Sequence, residues 1–362
     1  MELQRYFEGF NDRDWEPEAE PDGEPLRLAI VGLGGYARDR ALPAIERTAR
    51  CETTVAVSGS PGKIETVASR FDVDETLDYE AFHAGEAVEA YDAVYISTPP
   101  AHHLAAAETA AEHGKHVLCE KPMDVNSDRA ERMVEVCDDA GVALMVAYRL
   151  HAEPAYRRLR ELIGDGFIGD PVQVHGAFSL DLLGRTEGSA TDVWRIDPEV
   201  AGGGALMDLG IYPLNTARYL LDADPVAAQA TTAAPDEAFD GVDEHVAFQV
   251  TFPDDAVGSF SASFNAHRDS QLKVVGTEGR VLVDSAFGGL VDREVVVERG
   301  EMHAEFTGPF VDEIEEQFEY FGTRVLSGES IEPDGAHGLV DIAVADAVYE
   351  SAATGARVGL DG

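Results

Sequence analysis

Basic residues are scarce in this sequence: 27 Lys and Arg stand against 69 Asp and Glu over 362 residues, a formal net charge of −42. The carboxylates are spread over the whole length and not gathered in a tail. That excludes nucleic acid as a partner, because phosphate recognition rests on Lys and Arg. Cysteine is almost absent too. Cys51, Cys119 and Cys137 are an odd set without CxxC spacing, which excludes a disulfide framework and a zinc site and reads as three reduced interior thiols. No metal is called for. No apolar run approaches the length of a membrane span, and no apolar signal core follows a basic patch near the first residue. The expectation is a cytoplasmic protein that engages no membrane.

What is present suffices for two cores, since 44% of the residues are hydrophobic in a chain too long for one. The apolar segments are periodic and separated by turn signals, so the charge does not signal disorder. It reads as a solvated acidic coat, which repels itself in dilute salt. Molar salt shortens the screening length to roughly 3 Å and removes most of that penalty. The composition resembles that of proteins from the high-KCl cytosol of extreme halophiles, with a strongly acidic mesophilic protein as the alternative.

Residues 1–25 form an acidic, proline-containing arm whose Tyr6, Phe7, Phe10 and Trp15 suit a docked arm, with a neighbouring subunit as one place for it and a disordered leader as the alternative. Over 26–150, apolar runs at 26–33, 53–58, 93–97, 116–120 and 143–148 alternate with helical stretches, as a parallel sheet covered on both faces requires. This predicts an α/β Rossmann domain, a doubly wound parallel sheet joined by right-handed crossovers. Residues 151–362 change character. Two-residue alternation at 172–179, 245–252, 256–264, 272–275, 281–284 and 294–298 predicts an α+β domain with an open, largely antiparallel sheet. Late helices at 310–326 and 337–354 could pack near the first domain and make it discontinuous.

Gly32-Leu33-Gly34-Gly35-Tyr36-Ala37 follows the first strand and opens a helix, matching G-x-G-x-x-A. In that motif Gly32 makes the tight turn, Gly34 lets the backbone approach a pyrophosphate, and Ala37 permits close helix packing. Helix N–H groups then face the phosphates. The second strand ends in Ser58-Gly59-Ser60-Pro61-Gly62-Lys63, where a carboxylate would select NAD by binding the ribose 2′-hydroxyl. None is there, whereas Ser58, Ser60 and Lys63 around Gly59, with Arg38 after the glycine turn, suit a 2′-phosphate. NADP is favoured over NAD, with Lys63 as a plain solvated helix residue as the alternative.

Thr98 and Pro99 end the next strong strand in a stiff loop suited to the nicotinamide half of the cofactor, and His102 follows. His103 reads as a helix start exposed to water. Glu120-Lys121-Pro122 lies at the same carboxyl edge, with proline biasing Lys121 toward extended backbone and a cis bond as an option. Further on, Gly202-Gly203-Gly204 precedes Asp208 and Tyr212, which share a helical face at i and i+4, while Gly210 and Pro213 predict a kink.

These blocks, with Ala147-Tyr148-Arg149 and Trp194-Arg195 between them in order, closely resemble the family of glucose-fructose oxidoreductase and inositol dehydrogenase (Gfo/Idh/MocA), over about residues 26 to 355. The resemblance implies NAD(P) redox chemistry on a sugar or polyol and a homodimer or homotetramer. Many members carry histidine where Tyr212 stands; tyrosine there resembles the NADP-dependent sugar dehydrogenases. The implied reaction is oxidation of a cyclic aldose, D-xylose foremost, at C1 to the lactone, with another sugar or polyol as an alternative. Tyr212 is then the proton acceptor, cationic Lys121 favours its phenolate, and Asp208 orients the substrate or Lys121. The alternative makes Lys121 itself the base. Glu120 and Lys121 border the cofactor; Trp194, Arg195 and Arg149 line or support the sugar pocket, whose shape is expected from loops around 181–194. A core role is the alternative for Trp194. A competing class is an NADP-dependent sugar sensor that turns nothing over.

Overall fold

A computed structural model describes residues 6, 9–10, 12–16, 23–184, 194–289, 292–307 and 310–360. These fall into two compact units. The first takes Asp14–Ala152 together with Asp312–Leu339. Its strands are β1 (Leu26–Val31), β2 (Cys51–Val57), β3 (Glu75–Leu77), β4 (Ala93–Ile96), β5 (His116–Cys119) and β6 (Leu144–Val146), all parallel, in the order β3-β2-β1-β4-β5-β6. The strand order reverses direction between β1 and β4, where Val31 pairs with Ile96. In a doubly wound sheet ligands gather at that reversal, beyond the carboxyl ends.

The sequence LRLAIV forms β1 because both faces of the sheet are covered: every residue but Arg27 is buried, and Arg27 reaches Asp92 at 2.6 Å. The helix Ser127–Ala140 starts on Asn126, whose side chain accepts from the Arg129 N–H, and stops at Gly141 in the left-handed region. The late helix Glu313–Ser327 closes this unit, with Phe318 edge-on to Tyr95 at 5.0 Å between centroids. Trp15 packs edge-on against Tyr320 and donates to the Ala152 carbonyl at 3.3 Å.

The second unit takes Glu153–Val311 and Val340–Gly362 with the described residues of Met1–Arg13. Its nine strands are β7 (Pro171–Asp181), β8 (Ala227–Ala233), β9 (His245–Thr251), β10 (Val257–Ser263), β11 (Asn265–Gly276), β12 (Gly279–Asp284), β13 (Glu294–Arg299), β14 (Met302–Thr307) and β15 (Val358–Gly359). They run β14-β13-β12-β11-β7-β10-β9-β8-β15, parallel only at β7–β10. Along β9, Val246, Phe248 and Val250 are buried while Ala247 and Gln249 are exposed, the alternation of a sheet with one wet face. The arm docks on its own chain in this unit through Tyr6, which donates to Asp165, and Phe10, whose ring meets Phe306 at 4.0 Å. Phe7 lies outside the described residues.

Four strands escape the sequence pattern. β3 and β15 have three and two residues, too few for a period, and β8 and β14 present a largely small or polar series. The three cysteines are buried free thiols, and burial pushes Cys137 up to about 12. No helix among the described residues is long and apolar enough to cross a membrane.

The helix Ile211–Leu221 is anchored in the second unit by a buried ion pair, Arg218 to Asp341 at 2.7 Å, with both side chains almost inaccessible. Asn215 donates to the other Asp341 oxygen at 2.8 Å. Removing Asp341 takes the buried acceptor from both side chains and leaves the desolvated guanidinium only its exposed partner Asp224 at 2.6 Å. Asp341→Ala should therefore cost about 3–5 kcal/mol, read by denaturant unfolding; a loss under about 1 kcal/mol, the value of an exposed pair, would refute this anchoring.

Candidate active site

Gly32 leaves β1 at φ +102°, a region open to glycine. A Cβ there would meet the Ser97 carbonyl carbon and oxygen at 2.8 Å, so the β1 and β4 ends approach more closely than any side chain allows. The chain then enters a helix that is π-type over Ala37–Ala41 before Leu42–Ile45. Gly34 faces open space, Gly35 is exposed, Tyr36 is half-buried and Ala37 is buried. Arg38 folds back, its Nε donating to the Gly34 carbonyl at 3.3 Å.

At the end of β2, Ser58 is buried and its Oγ accepts the Ser60 N–H at 3.2 Å, while Ser60 starts the helix Pro61–Arg70. Gly59 and Lys63 are exposed, and a Cβ at Gly59 would meet the Tyr79 ring at 3.3 Å. No carboxylate occupies Ser58 to Lys63. At the end of β4, the Thr98 Oγ1 is buried without a hydrogen-bond partner among the described residues, beside half-buried Pro99. A dinucleotide fits this edge: the glycine turn leaves room for its phosphates, and Thr98 offers it an unused hydroxyl.

The β5 loop is the most tightly held. Lys121-Pro122 is cis. The Glu120 N–H donates to Ile96 O at 2.9 Å, and the Tyr95 hydroxyl donates to Glu120 Oε1 at 2.6 Å. Burial pushes the Glu120 carboxyl above the ordinary carboxylate range, opposed by that hydroxyl and by the charges of Lys121 and Arg149. Arg149 itself forms an ion pair with Glu313, both nearly buried. Asp124 is fully buried, accepts the Leu104 N–H at 3.1 Å and pairs with Arg129 at 2.6 Å.

His102 is exposed, but His103 reverses its expectation: it is 1% exposed, not a solvated helix start. Its Nε2 stands 2.8 Å from Thr98 O and its Nδ1 3.1 Å from Met123 O and 3.3 Å from the Cys119 sulfur. Each ring nitrogen thus faces a main-chain carbonyl, Thr98 O on one side and Met123 O on the other, and a neutral ring donates its single N–H to one of them. The sequence pattern missed His103, Tyr95, Asp124 and Glu313 because each acts on a loop remote in sequence.

In the second unit, Leu206–Gly210 forms a π-helical segment that runs into the α-helix Ile211–Leu221. This is the physical form of the kink: the Pro213 ring would clash with a carbonyl four residues back in a regular α-turn, and the wider turn relieves it. Asp208 accepts from Arg195 Nε at 2.9 Å, and the Arg195 guanidinium lies over the half-buried Trp194 ring at 4.4 Å. Tyr212 is mostly buried, with the Phe178 ring edge-on at 5.5 Å and the Phe287 ring at 6.2 Å. Residues 185–193, within the stretch expected to shape the pocket, lie outside the described residues.

These features define a nicotinamide-dependent oxidoreductase with a separate second sheet. Residues 26–148 match the oxidoreductase family with NAD-binding Rossmann fold, and residues 156–282 match the GFO/IDH/MocA C-terminal domain. The chain belongs to the Gfo/Idh/MocA oxidoreductase family. It is 47% identical over 355 residues, 98% of each chain, to D-xylose 1-dehydrogenase (NADP(+)) of Haloarcula marismortui. It is 31% identical to D-xylose 1-dehydrogenase (NADP(+)) 2 of Haloferax volcanii, over 93% of this chain and 100% of that one. Among solved structures, the aldose-aldose oxidoreductase of Caulobacter crescentus complexed with glycerol superposes with a TM-score of 0.86 at 30% identity, covering 93% of this chain and 100% of that one.

His103 provides a pH test. Burial first of all lowers its pKa, so the folded state holds it neutral. The unfolded state binds the proton more readily, so the stability it confers is complete above about pH 6.5 and is lost as pH falls from there toward the depressed folded value. His103→Ala should lower stability near neutrality by about 1–3 kcal/mol, the cost of unpaired buried groups. Its melting temperature should then fall less steeply than the native one between about pH 7 and about pH 5; parallel curves would refute the assignment.

Proposed function

We propose that this protein is an NADP-dependent dehydrogenase that oxidises a cyclic aldose, D-xylose first, at C1 to the aldonolactone. The observation that carries this is the 47% identity over 98% of the chain with D-xylose 1-dehydrogenase (NADP(+)). The absence of a carboxylate from Ser58 to Lys63 supports the same cofactor. When bound, NADP⁺ supplies the hydride acceptor. Gly32, Gly34, Gly35, Tyr36 and Ala37 would hold its phosphates, Arg38, Ser58, Gly59, Ser60 and Lys63 its 2′-phosphate end, and Thr98, Pro99, His102, Glu120 and Lys121 its nicotinamide end.

The chain's own chemistry is proton transfer and orientation. Tyr212 takes the anomeric hydroxyl proton as the general base, with Lys121 as the alternative acceptor. Asp208, held by Arg195, accepts a sugar hydroxyl and so fixes which carbon presents its hydrogen. The walls of Phe178 and Phe287 around Tyr212 keep water from competing for that proton. Trp194 and Arg149 complete the sugar side and its support. The acidic composition and the similarity to a Haloarcula protein support a high-KCl cytosol as its medium, and the family resemblance supports a homodimer or homotetramer.

Purified protein in molar KCl should reduce NADP⁺ with D-xylose faster than with glucose or arabinose, and faster than NAD⁺ with any of them. Binding of NADP⁺ without turnover of any sugar would replace the enzyme by a sensor. Tyr212→Phe should lower kcat by about a hundredfold or more, the usual worth of a general base. Full turnover in Tyr212→Phe with none in Lys121→Met would move the proton to Lys121. Melting temperature should rise steadily as KCl is raised into the molar range, where screening length falls to about 3 Å; a salt-independent value would reject the halophilic reading.

A further inference from the structure

The segment that carries Asp208 and Tyr212 begins at Ala205, which offers no side-chain cap, so the first N–H groups need partners from elsewhere. Asp243, in the turn before β9, supplies them. Its Oδ1 accepts the Gly204 N–H at 2.7 Å, its Oδ2 accepts the Leu206 N–H at 2.7 Å, and its main-chain carbonyl accepts the Ala205 N–H at 2.8 Å. The Tyr349 hydroxyl donates to the same Oδ1 at 2.7 Å. Three consecutive amides thus end on one residue 39 positions away from the first of them.

The glycine triplet is the space this clamp needs. A Cβ on Gly203 would overlap the Tyr349 hydroxyl, and one on Gly204 would overlap the Asp243 carbonyl oxygen. Asp243 is buried ahead of a helical segment, the arrangement of an N-cap, but it is delivered from the sheet and not from the preceding residue; burial raises its carboxyl pKa, opposed by the bonds from Tyr349, Leu206 and Gly204. Asp208 stands two residues past Leu206, the last of these three amides, and the Asp208 N–H closes the first turn on Gly204 O at 3.1 Å.

We infer that Asp243, locked by Tyr349, is a positioning residue that fixes the height and rotation of Asp208 and Tyr212 for the reaction. The inference rests on the assignment of those two side chains to the substrate. An active-site group must be held within about 0.5 Å to be productive, and bonds to a buried carboxylate are the stiffest short tether available to a helix start.

Tyr349→Phe keeps the ring and both side-chain amide bonds and is the variant least exposed to folding failure; Asp243→Asn keeps the shape and loses the charge. Expected for Asp243→Asn is a fall in kcat of about tenfold, the loss of one charge-assisted bond, with NADP⁺ affinity unchanged, and a smaller fall in Tyr349→Phe. Combined with Asp208→Asn, Asp243→Asn should add less than its separate effect, since both act through one carboxylate. Unchanged kcat and KM in a variant that only melts earlier, or full additivity with Asp208→Asn, would overturn the inference. Should the native protein turn over no sugar, the substrate assignment fails by itself. Amide hydrogen exchange still decides the clamp: Tyr349→Phe should speed exchange at residues 204–212, and unaltered exchange there would overturn it.

Discussion

A parallel sheet ends in loops whose backbone groups have no neighbouring strand, and burying that edge leaves them unpaired unless side chains reach them. Everything on the cofactor side of this protein depends on how that is met beyond β4 and β5. His103 ties the Thr98 loop to the Cys119–Met123 loop, Asp124 takes the first-turn amide of the helix His103–Glu112, and Tyr95 holds Glu120. His103, Asp124 and Tyr95 are themselves buried, so their bonds cannot be exchanged for water at little cost. Lys121 sits in the middle of this set. Its backbone is fixed by its neighbours, and its charge is one of the few that offset the burial of Glu120.

The shortage of cations sharpens the point. Only four of the bases are lysines, Lys63, Lys115, Lys121 and Lys273; the remainder are arginines. Arginine is the base suited to desolvated carboxylates, being planar, permanently charged and weakly hydrated. It is found there: Arg149 with Glu313, Arg218 with Asp341, Arg129 with Asp124, Arg293 with Glu153. Lysine is a compact, strongly hydrated charge whose pKa shifts readily when buried, which makes it a poor structural substitute and a good participant in proton chemistry. Two of the four lysines fall at positions assigned to the cofactor or the proton, and Lys115 lies over the Tyr91 ring.

The parallel sheet was legible because its strands are buried on both faces and read as continuous apolar runs between glycine and proline signals. β3 was not, since only Leu77 of its three residues is buried and its pairing with β2 is decided by tertiary contact. The tight turn at Gly32, the cis option at Lys121-Pro122 and the kink before Pro213 were legible because that backbone geometry depends on near neighbours in sequence. His103 and Asp243 were not, because what they do is set by residues that only the fold brings to them. For His103 the adjacent pair of histidines gave no hint of which ring turns inward; burial distinguishes them completely.

The same division explains why Asp208 and Tyr212 need help from outside their own helix. Pro213 forbids a regular α-turn at Leu209, and the chain answers with a π-segment, a turn with weaker intrinsic support than the α-helix it interrupts. A wide turn left to itself would let both side chains swing. Here it is pinned on one side by Asp243 at the Gly204–Leu206 amides and on the other by Asn215 and Arg218 on Asp341. Between two buried carboxylates the irregular turn has little freedom left, so the local strain imposed by proline becomes a fixed direction for the carboxylate and the phenol.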